Sequence, residues 1–166
     1  MPLTYIMGQD RLVCDFVLAS KRAVGAAQPY NVFPDNARAI GIANADNELI
    51  AGIVYYNYSP ETGTIEMSVE ALPKQRWLTP STLSIMFRYP FLGCGCQMLI
   101  TRTTSKYEHV MRMLAALNFA LVRIPRGGGR DIDAIVALLT VEDWLDSKIC
   151  KRYNHHVVDE PKAEAA

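Results

Sequence analysis

Hydrophobic side chains recur along this chain in two rhythms, a period of two and a period near 3.6, and the change from one to the other marks its elements. The clearest alternation is TIEMSVEA, residues 64–71: Ile65, Met67 and Val69 face one way, Glu66, Ser68 and Glu70 the other. That predicts a strand with one apolar face. Before it, ARAIGIAN (37–44) and ELIAGIVYYNY (48–58) are rich in β-branched and aromatic residues, and Ala45-Asp46-Asn47 between them reads as a hairpin turn. SPETG (59–63) is a second turn, so residues 38–71 form an antiparallel meander of three strands.

The helical rhythm appears at three places. In DRLVCDFVLASKR (10–22), Leu12, Val13, Phe16 and Val17 share a face, and Asp10 is placed to cap the start. RWLTPSTLSIMF (76–87) enters a helix through Thr79 as N-cap, with Pro80 at the first helical position, where its missing N–H costs nothing. That helix is expected to end before Pro90. KYEHVMRMLAAL (106–117) sets Val110, Met113, Leu114 and Leu117 on one face, and Asn118 stands where a left-handed C-terminal cap belongs. Further strands are expected at LTYIM (3–7), CQMLITRT (96–103), FALVRI (119–124) and DIDAIVALLT (131–140), with PRGGGR (125–130) as a flexible turn. Residues 141–149 suit a short terminal helix. Residues 23–37, with one glycine, two prolines and two asparagines, read as a long loop, and the polar tail 151–166 as mobile. The order predicts a single α+β domain over residues 1–150: a mixed, mostly antiparallel sheet of about seven strands with helices on both faces.

Composition narrows the class. A chain of 166 residues suits one core, and its seventeen basic and seventeen acidic residues cancel, which counts against a nucleic-acid binder. No apolar run reaches the ~18 residues of a membrane span. The start MPLTYIMGQDR lacks the basic and apolar regions of a signal peptide, so a cytoplasmic protein is expected. The four cysteines are expected as reduced thiols: Cys94-Gly95-Cys96 is too tightly spaced for a zinc pair, no histidine pair completes it, and no metal is expected.

This order of elements, over residues 3–144, resembles the GNAT superfamily of N-acetyltransferases. In that family the meander leads into a loop of pattern Q/R-x-x-G-x-G/A and then a helix, whose backbone N–H groups hold the pyrophosphate of acetyl-CoA. Here Arg76-Trp77-Leu78-Thr79-Pro80-Ser81 falls at that place. The arginine is kept, Thr79 and Ser81 replace the small residues and offer hydroxyls to a phosphate, and Pro80 removes one donor. Met113-Leu114-Ala115-Ala116-Leu117-Asn118-Phe119 is similar to the family's helix-to-strand stretch ending Leu-Gly-Phe, with Asn118 for the glycine. Where an asparagine often opens that helix in the family, Tyr107 stands here, and no tyrosine occupies the place of the general acid used by many members. The stretches YIMGQDR, GTIEMS, RWLT, YPF, RGGGRD and LLTVEDW also resemble GNAT-like proteins of phage and prophage genomes.

The resemblance implies the GNAT fold and an N-acetyltransferase that moves an acetyl group from acetyl-CoA to an unidentified amine acceptor, with a homodimer as one assembly. Arg76, Trp77, Leu78, Thr79, Ser81 and Tyr107 then meet the coenzyme. Its pantetheine lies in a splayed gap between the fourth and fifth strands, here 64–71 and 96–103.

Acetyl transfer needs a polarised thioester, a deprotonated amine and a stabilised leaving thiolate. Glu66 and Glu70 are either bases, acting directly or through water, or solvent-facing carboxylates of an alternating strand. Tyr107 is a general acid, a coenzyme contact or a packed aromatic at a helix start. Tyr56, Asn57 and Tyr58 line an acceptor pocket or simply suit a strand. A guanidinium at Arg76, beside a helix N-terminus, suits a phosphate. Arg123, Arg126 and Arg130 flank a glycine run that lacks the strand-to-helix setting of a phosphate loop. They belong to a solvated turn or touch an anion. Two other functions compete: a GNAT-fold binding protein without turnover, and a phage-type protein that modifies nucleic acid.

Overall fold

The computed structural model describes residues 2–23 and 32–153. The period-two segments become β1 (Thr4–Ile6), β2 (Arg38–Ala43), β3 (Leu49–Ser59), β4 (Thr64–Ala71), β5 (Met98–Thr104), β6 (Ala120–Gly129) and β7 (Ile132–Thr140). Helices α1 (Asp10–Ala23), α2 (Pro80–Arg88), α3 (Glu108–Ala116), α4 (Val141–Asp146) and α5 (Lys148–Tyr153) join them, with a π-helical turn at Tyr89–Gly93. The strands form one mixed sheet in the order β1-β2-β3-β4-β5-β7-β6. This is the α+β architecture that the hydrophobic pattern implied. Among the described residues only β4 and β5 run parallel, and α2 with its π-helical turn supplies the crossover that such a pair requires.

The alternation in β4 sorts the core. Ile65 and Met67 join Ile53, Tyr55, Leu99 and Leu139 in a large cluster, closed by Phe87 of α2, Leu114 of α3 and Trp144 of α4. On the opposite face Val13 and Val17 of α1 pack on Ala39 and Val54. Helix α1 lies so close there that a side chain at Gly52 would bring its Cβ within 2.9 Å of both valines. The apolar stripe of α1 is rotated from the one expected: Val13, Val17 and Leu18 are buried, while Leu12 is 55 % exposed. Asp10 does not cap α1. Its carboxylate accepts the Ala39 N–H at 2.7 Å and the Arg38 guanidinium at 3.4 Å, stitching the helix start to β2.

Three other local expectations change. Helix α2 stops before Pro90, as expected, but the chain goes on coiling as the π-helical turn. Pro90 has no N–H to offer the Met86 carbonyl one turn back, and the buried Tyr55 hydroxyl donates to that carbonyl at 2.6 Å. PRGGGR is largely strand rather than turn: β6 continues to Gly129 through an irregular register, with the Asp133 carboxylate accepting the Arg126 N–H at 2.9 Å. The terminal helix divides at Ser147, whose hydroxyl accepts the Cys150 N–H at 3.1 Å. Helix α5 includes Lys151–Tyr153, which were expected in the tail; residues 154–166, like 24–31 of the long loop, lie outside the described residues. Asn118 does take the left-handed cap, at φ 70°.

Candidate functional site

The parallel ladder between β4 and β5 is short. It pairs Thr64 with Met98 through Met67 with Thr101 and then stops, although β4 continues to Ala71 and β5 to Thr104. Beyond that point β4 stays bonded to β3, and β5 to β7. The sheet therefore opens along one line, and the facing edges of the two strands present backbone N–H and C=O groups without strand partners among the described residues.

Both strands lead into helices at this open end. The connecting segments 72–79 and 105–107 carry Lys74, Arg76 and Lys106 and no carboxylate. The N-termini of α2 and α3 thus lie beyond the carboxyl ends of two parallel strands, in a cationic setting. Unpaired N–H groups, the positive end of a helix dipole and basic side chains together favour an anion. Open sheets also place ligands at the carboxyl ends of parallel strands.

The residues named from RWLTPS have different parts in this. Trp77 and Leu78 are half-buried and pack on the main core, so they anchor the loop. The Thr79 hydroxyl accepts the Thr82 N–H at 3.2 Å and lies 3.0 Å from the Thr82 hydroxyl, which itself donates to the Trp77 carbonyl at 2.7 Å. That hydroxyl caps the helix and is not directed at a ligand. Arg76 and Ser81 are exposed. Among the described residues nothing bonds or ion-pairs with the Arg76 guanidinium. The Ser81 N–H precedes the bond from Leu83 N–H to Thr79 C=O at 2.9 Å, which opens the helical ladder. Tyr107 sits at the N-cap of α3, half-buried, its ring edge-on to His109 at 6.3 Å between centroids. It therefore shares the open end with Arg76.

The two carboxylates of β4 lie on the α1 face. Glu66 stands where the ladder ends; it accepts from Asn57 Nδ2 at 3.3 Å and from Arg102 Nε at 3.4 Å, and its side chain is 18 % exposed. Glu70 lies farther along the open edge, facing Lys21 of α1. Burial pushes the Glu70 carboxyl above its ordinary value, and the nearby Lys21 ammonium offsets part of that rise. Burial likewise lowers Lys21, and Glu70 offsets part of that fall. Ser68, between the two glutamates, is buried.

Sequence reasoning missed Lys21 and Arg102, which neutralise the two glutamates, and Thr104 at the end of β5, whose buried Oγ1 has no hydrogen-bond partner among the described residues. No local signal points to them, because each acquires its neighbours from an element far off in the chain. Tyr56, Asn57 and Tyr58 belong to the opposite end of β4, where Tyr56 registers with Glu66 and Ser59 with Thr64. All three line one cavity of about 400 Å³ at that end, each with a partner of its own. Tyr56 packs on Phe33 with ring centroids 5.2 Å apart, Asn57 reaches Glu66, and the Tyr58 hydroxyl donates to the Cys94 carbonyl at 3.1 Å.

No disulfide joins the four cysteines, and burial pushes the thiols of Cys14 and Cys96 up to about 11, which keeps both from acting as thiolates at neutral pH. Arg123 is paired with Asp133 at 2.8 Å. Among the described residues no helix is long and apolar enough to cross a membrane.

No protein-family model matches the chain, and no curated protein matches it in sequence. Solved structures do match in three dimensions. Spermidine N-acetyltransferase from Vibrio cholerae in complex with CoA and spermine superposes with a TM-score of 0.70 at 13 % identity, covering 87 % of this chain and 98 % of that one. The dodecameric structure of the same enzyme in an intermediate state gives 0.70 at 12 % identity, covering 87 % and 96 %. A single-site mutant of that enzyme gives 0.71 at 14 % identity, covering 87 % and 96 %. This chain therefore has the GNAT fold, the one implied by the order of its elements.

Proposed function

We propose that this protein is an acetyl-CoA-dependent N-acetyltransferase that binds its coenzyme at the open end of the β4–β5 pair and passes the acetyl group to an amine. The observation that carries this reading is the short parallel ladder, which opens between two helix N-termini on loops with three cations and no acid. The fold shared with enzymes that use CoA and act on spermidine supports it.

In this reading the pyrophosphate meets the Arg76 guanidinium and the Ser81 N–H and hydroxyl at the start of α2, while Trp77 and Leu78 hold the loop in place. The pantetheine amides pair with the free edge of β4 over residues 68–71, as an extended peptide adds to an open sheet. Glu70 takes the proton of the ammonium form of the acceptor. Burial has raised its basicity, whereas Glu66 is held by Asn57 and Arg102. The neutral amine attacks the thioester carbonyl carbon, a backbone N–H of the β4 edge stabilises the oxyanion, and the C–S bond breaks as the amide forms. The leaving sulfur takes a proton from the Tyr107 hydroxyl at the same end, and the proton that the new amide nitrogen sheds returns through solvent to the Tyr107 phenolate.

Titration calorimetry with acetyl-CoA and with CoA tests this. Micromolar binding is expected, weakened about tenfold or more by Arg76→Ala, which removes a charge-assisted contact, and abolished by Ser81→Glu, which puts a carboxylate where the phosphates belong. A flat titration at millimolar ligand ends this reading.

A further inference from the structure

A cleft adjoins the place where β4 and β5 part, on the side away from the two helix N-termini. Its larger part, a cavity of about 790 Å³, lies between the end of β1, the starts of α1 and β2, and the end of α2. It shares Arg38, Tyr55, Tyr89 and Gly93 with the cavity of about 400 Å³ that Tyr56, Asn57 and Tyr58 line. Tyr55 registers with Met67, the last residue of β4 paired with β5. Ile65, on the wall of the smaller cavity, stands about 7 Å of strand before Met67. Resting on the transferase reading, we infer that this joined cleft holds the body of the acceptor, and that the acceptor is a primary monoamine with an apolar body, not a polyamine.

The walls specify the body. Ile40 and Tyr55 form a buried floor, and Ile85 and Tyr89 flank it. At the rim Met7 is 63 % and Leu92 46 % exposed, large apolar side chains that an acceptor would cover. Four tyrosines line the joined cleft, Tyr55, Tyr56, Tyr58 and Tyr89, and the rings of Tyr55 and Tyr89 lie 4.7 Å apart between centroids. Such rings pack well against an aromatic or aliphatic body. The size falls in the range of small-molecule sites.

The polar groups of the walls are engaged with one another, which leaves nothing to hold a polycation. Among the described residues, the charged side chains lining the two cavities are Asp10, Arg38 and Arg88. The one carboxylate, Asp10, accepts the Ala39 N–H at 2.7 Å and the Arg38 guanidinium at 3.4 Å, so it and Arg38 cancel. Arg88 has a partner of its own. The Tyr55 hydroxyl donates to the Met86 carbonyl, the Tyr58 hydroxyl to the Cys94 carbonyl, and the Tyr89 hydroxyl is bonded to the Cys94 side chain. Beside the parting of the strands, Glu66 and Glu70 are neutralised by Arg102 and Lys21. One amine can lose its proton and react there, but the further ammonium groups of a polyamine would enter the cleft without a counter-charge, which is costly.

The backbone is irregular at this same place from two directions. The π-helical turn puts Tyr89 and Leu92 into the walls, and β3 breaks its register between Tyr56 and Ser59, with Asn57 at φ 51°. Irregularities of this kind gather where a chain shapes a site.

Acetyl transfer by the full chain at saturating acetyl-CoA, with 2-phenylethylamine and with spermidine as acceptors, tests the inference. kcat/KM for 2-phenylethylamine is expected to exceed that for spermidine by at least about tenfold. Leu92→Glu and Met7→Glu, at exposed rim positions, each place a carboxylate over the cleft. Each is expected to narrow that ratio by at least about tenfold, raising KM for 2-phenylethylamine while Tm and the CoA titration stay unchanged. A preference for spermidine, equal use of both amines, transfer to neither while the coenzyme binds, or a ratio that neither rim substitution moves would each overturn the inference and leave coenzyme binding standing. A flat coenzyme titration would instead overturn the transferase reading and the inference with it, so the two failures are distinguishable.

Discussion

The two ends of the β4–β5 pair solve the problem of holding a ligand by opposite means. At the carboxyl end the strands part after Met67 and Thr101, and the resources are main-chain groups, helix N-termini and cations on loops. At the amino end the strands stay bonded, and the resources are side chains: a floor of Ile40 and Tyr55, a π-helical turn and a pair of arginines. The first arrangement suits a long, highly charged ligand whose backbone mimics a strand. The second suits a compact, largely apolar one. Strand separation exposes polar backbone, which needs a polar partner, whereas a gap above an intact sheet exposes side chains.

This contrast can be broken at several points. The largest effect is expected at Glu70. Glu70→Gln should lower kcat/KM for acetyl transfer by about 10²–10⁴ and leave CoA binding as it was. With Glu70 as the base of the proposed reaction, the parent protein should lose activity as the pH falls through the Glu70 pKa. The base is active only when ionised, and burial raises that pKa, so the acid limb of the profile lies above 4.5. An acid limb that persists in Glu70→Gln would move the role to Glu66.

Next in size is Phe91, buried on the π-helical turn and stacked on Trp144 with ring centroids 5.0 Å apart. Phe91→Ala is expected to cost about 3–5 kcal/mol in denaturant unfolding. A loss under about 1 kcal/mol would mean that the turn hangs loosely on the core and that the cleft beside it has no fixed shape.

The smallest effect sharpens the other end. Thr79→Ala removes the cap of α2 and should cost about 1 kcal/mol of stability, with little change in CoA affinity, because the hydroxyl is already bonded to the Thr82 N–H. A fall in affinity of more than about tenfold would show that the hydroxyl turns toward phosphate instead.

The sequence by itself determined whatever depends on residues a few positions apart. Strict alternation over 64–71 specified a strand and its buried face, Thr79-Pro80 specified where α2 begins, and Asn118 specified how α3 ends. Each is a local matter of period, cap or backbone angle, and the element order followed from their sum. Leu12 shows the limit of such reading. Helical spacing placed it on an apolar face, but which side of α1 meets the sheet is settled by the close approach to Gly41 and Gly52.

The candidate site was legible only as a stretch of chain. RWLTPS could be seen, but not that Thr79 bonds inward while Arg76 and Ser81 point out. Tertiary structure alone decided where β4 and β5 part, that Arg102 meets Glu66 and Lys21 meets Glu70, and that Tyr55 takes the carbonyl released by Pro90. It alone assembled the cleft of Arg38, Tyr89 and Leu92 from separate elements. The reason is physical: strand register, burial and the dielectric around a charge are properties of contacts between distant segments, and no window along the chain contains both partners.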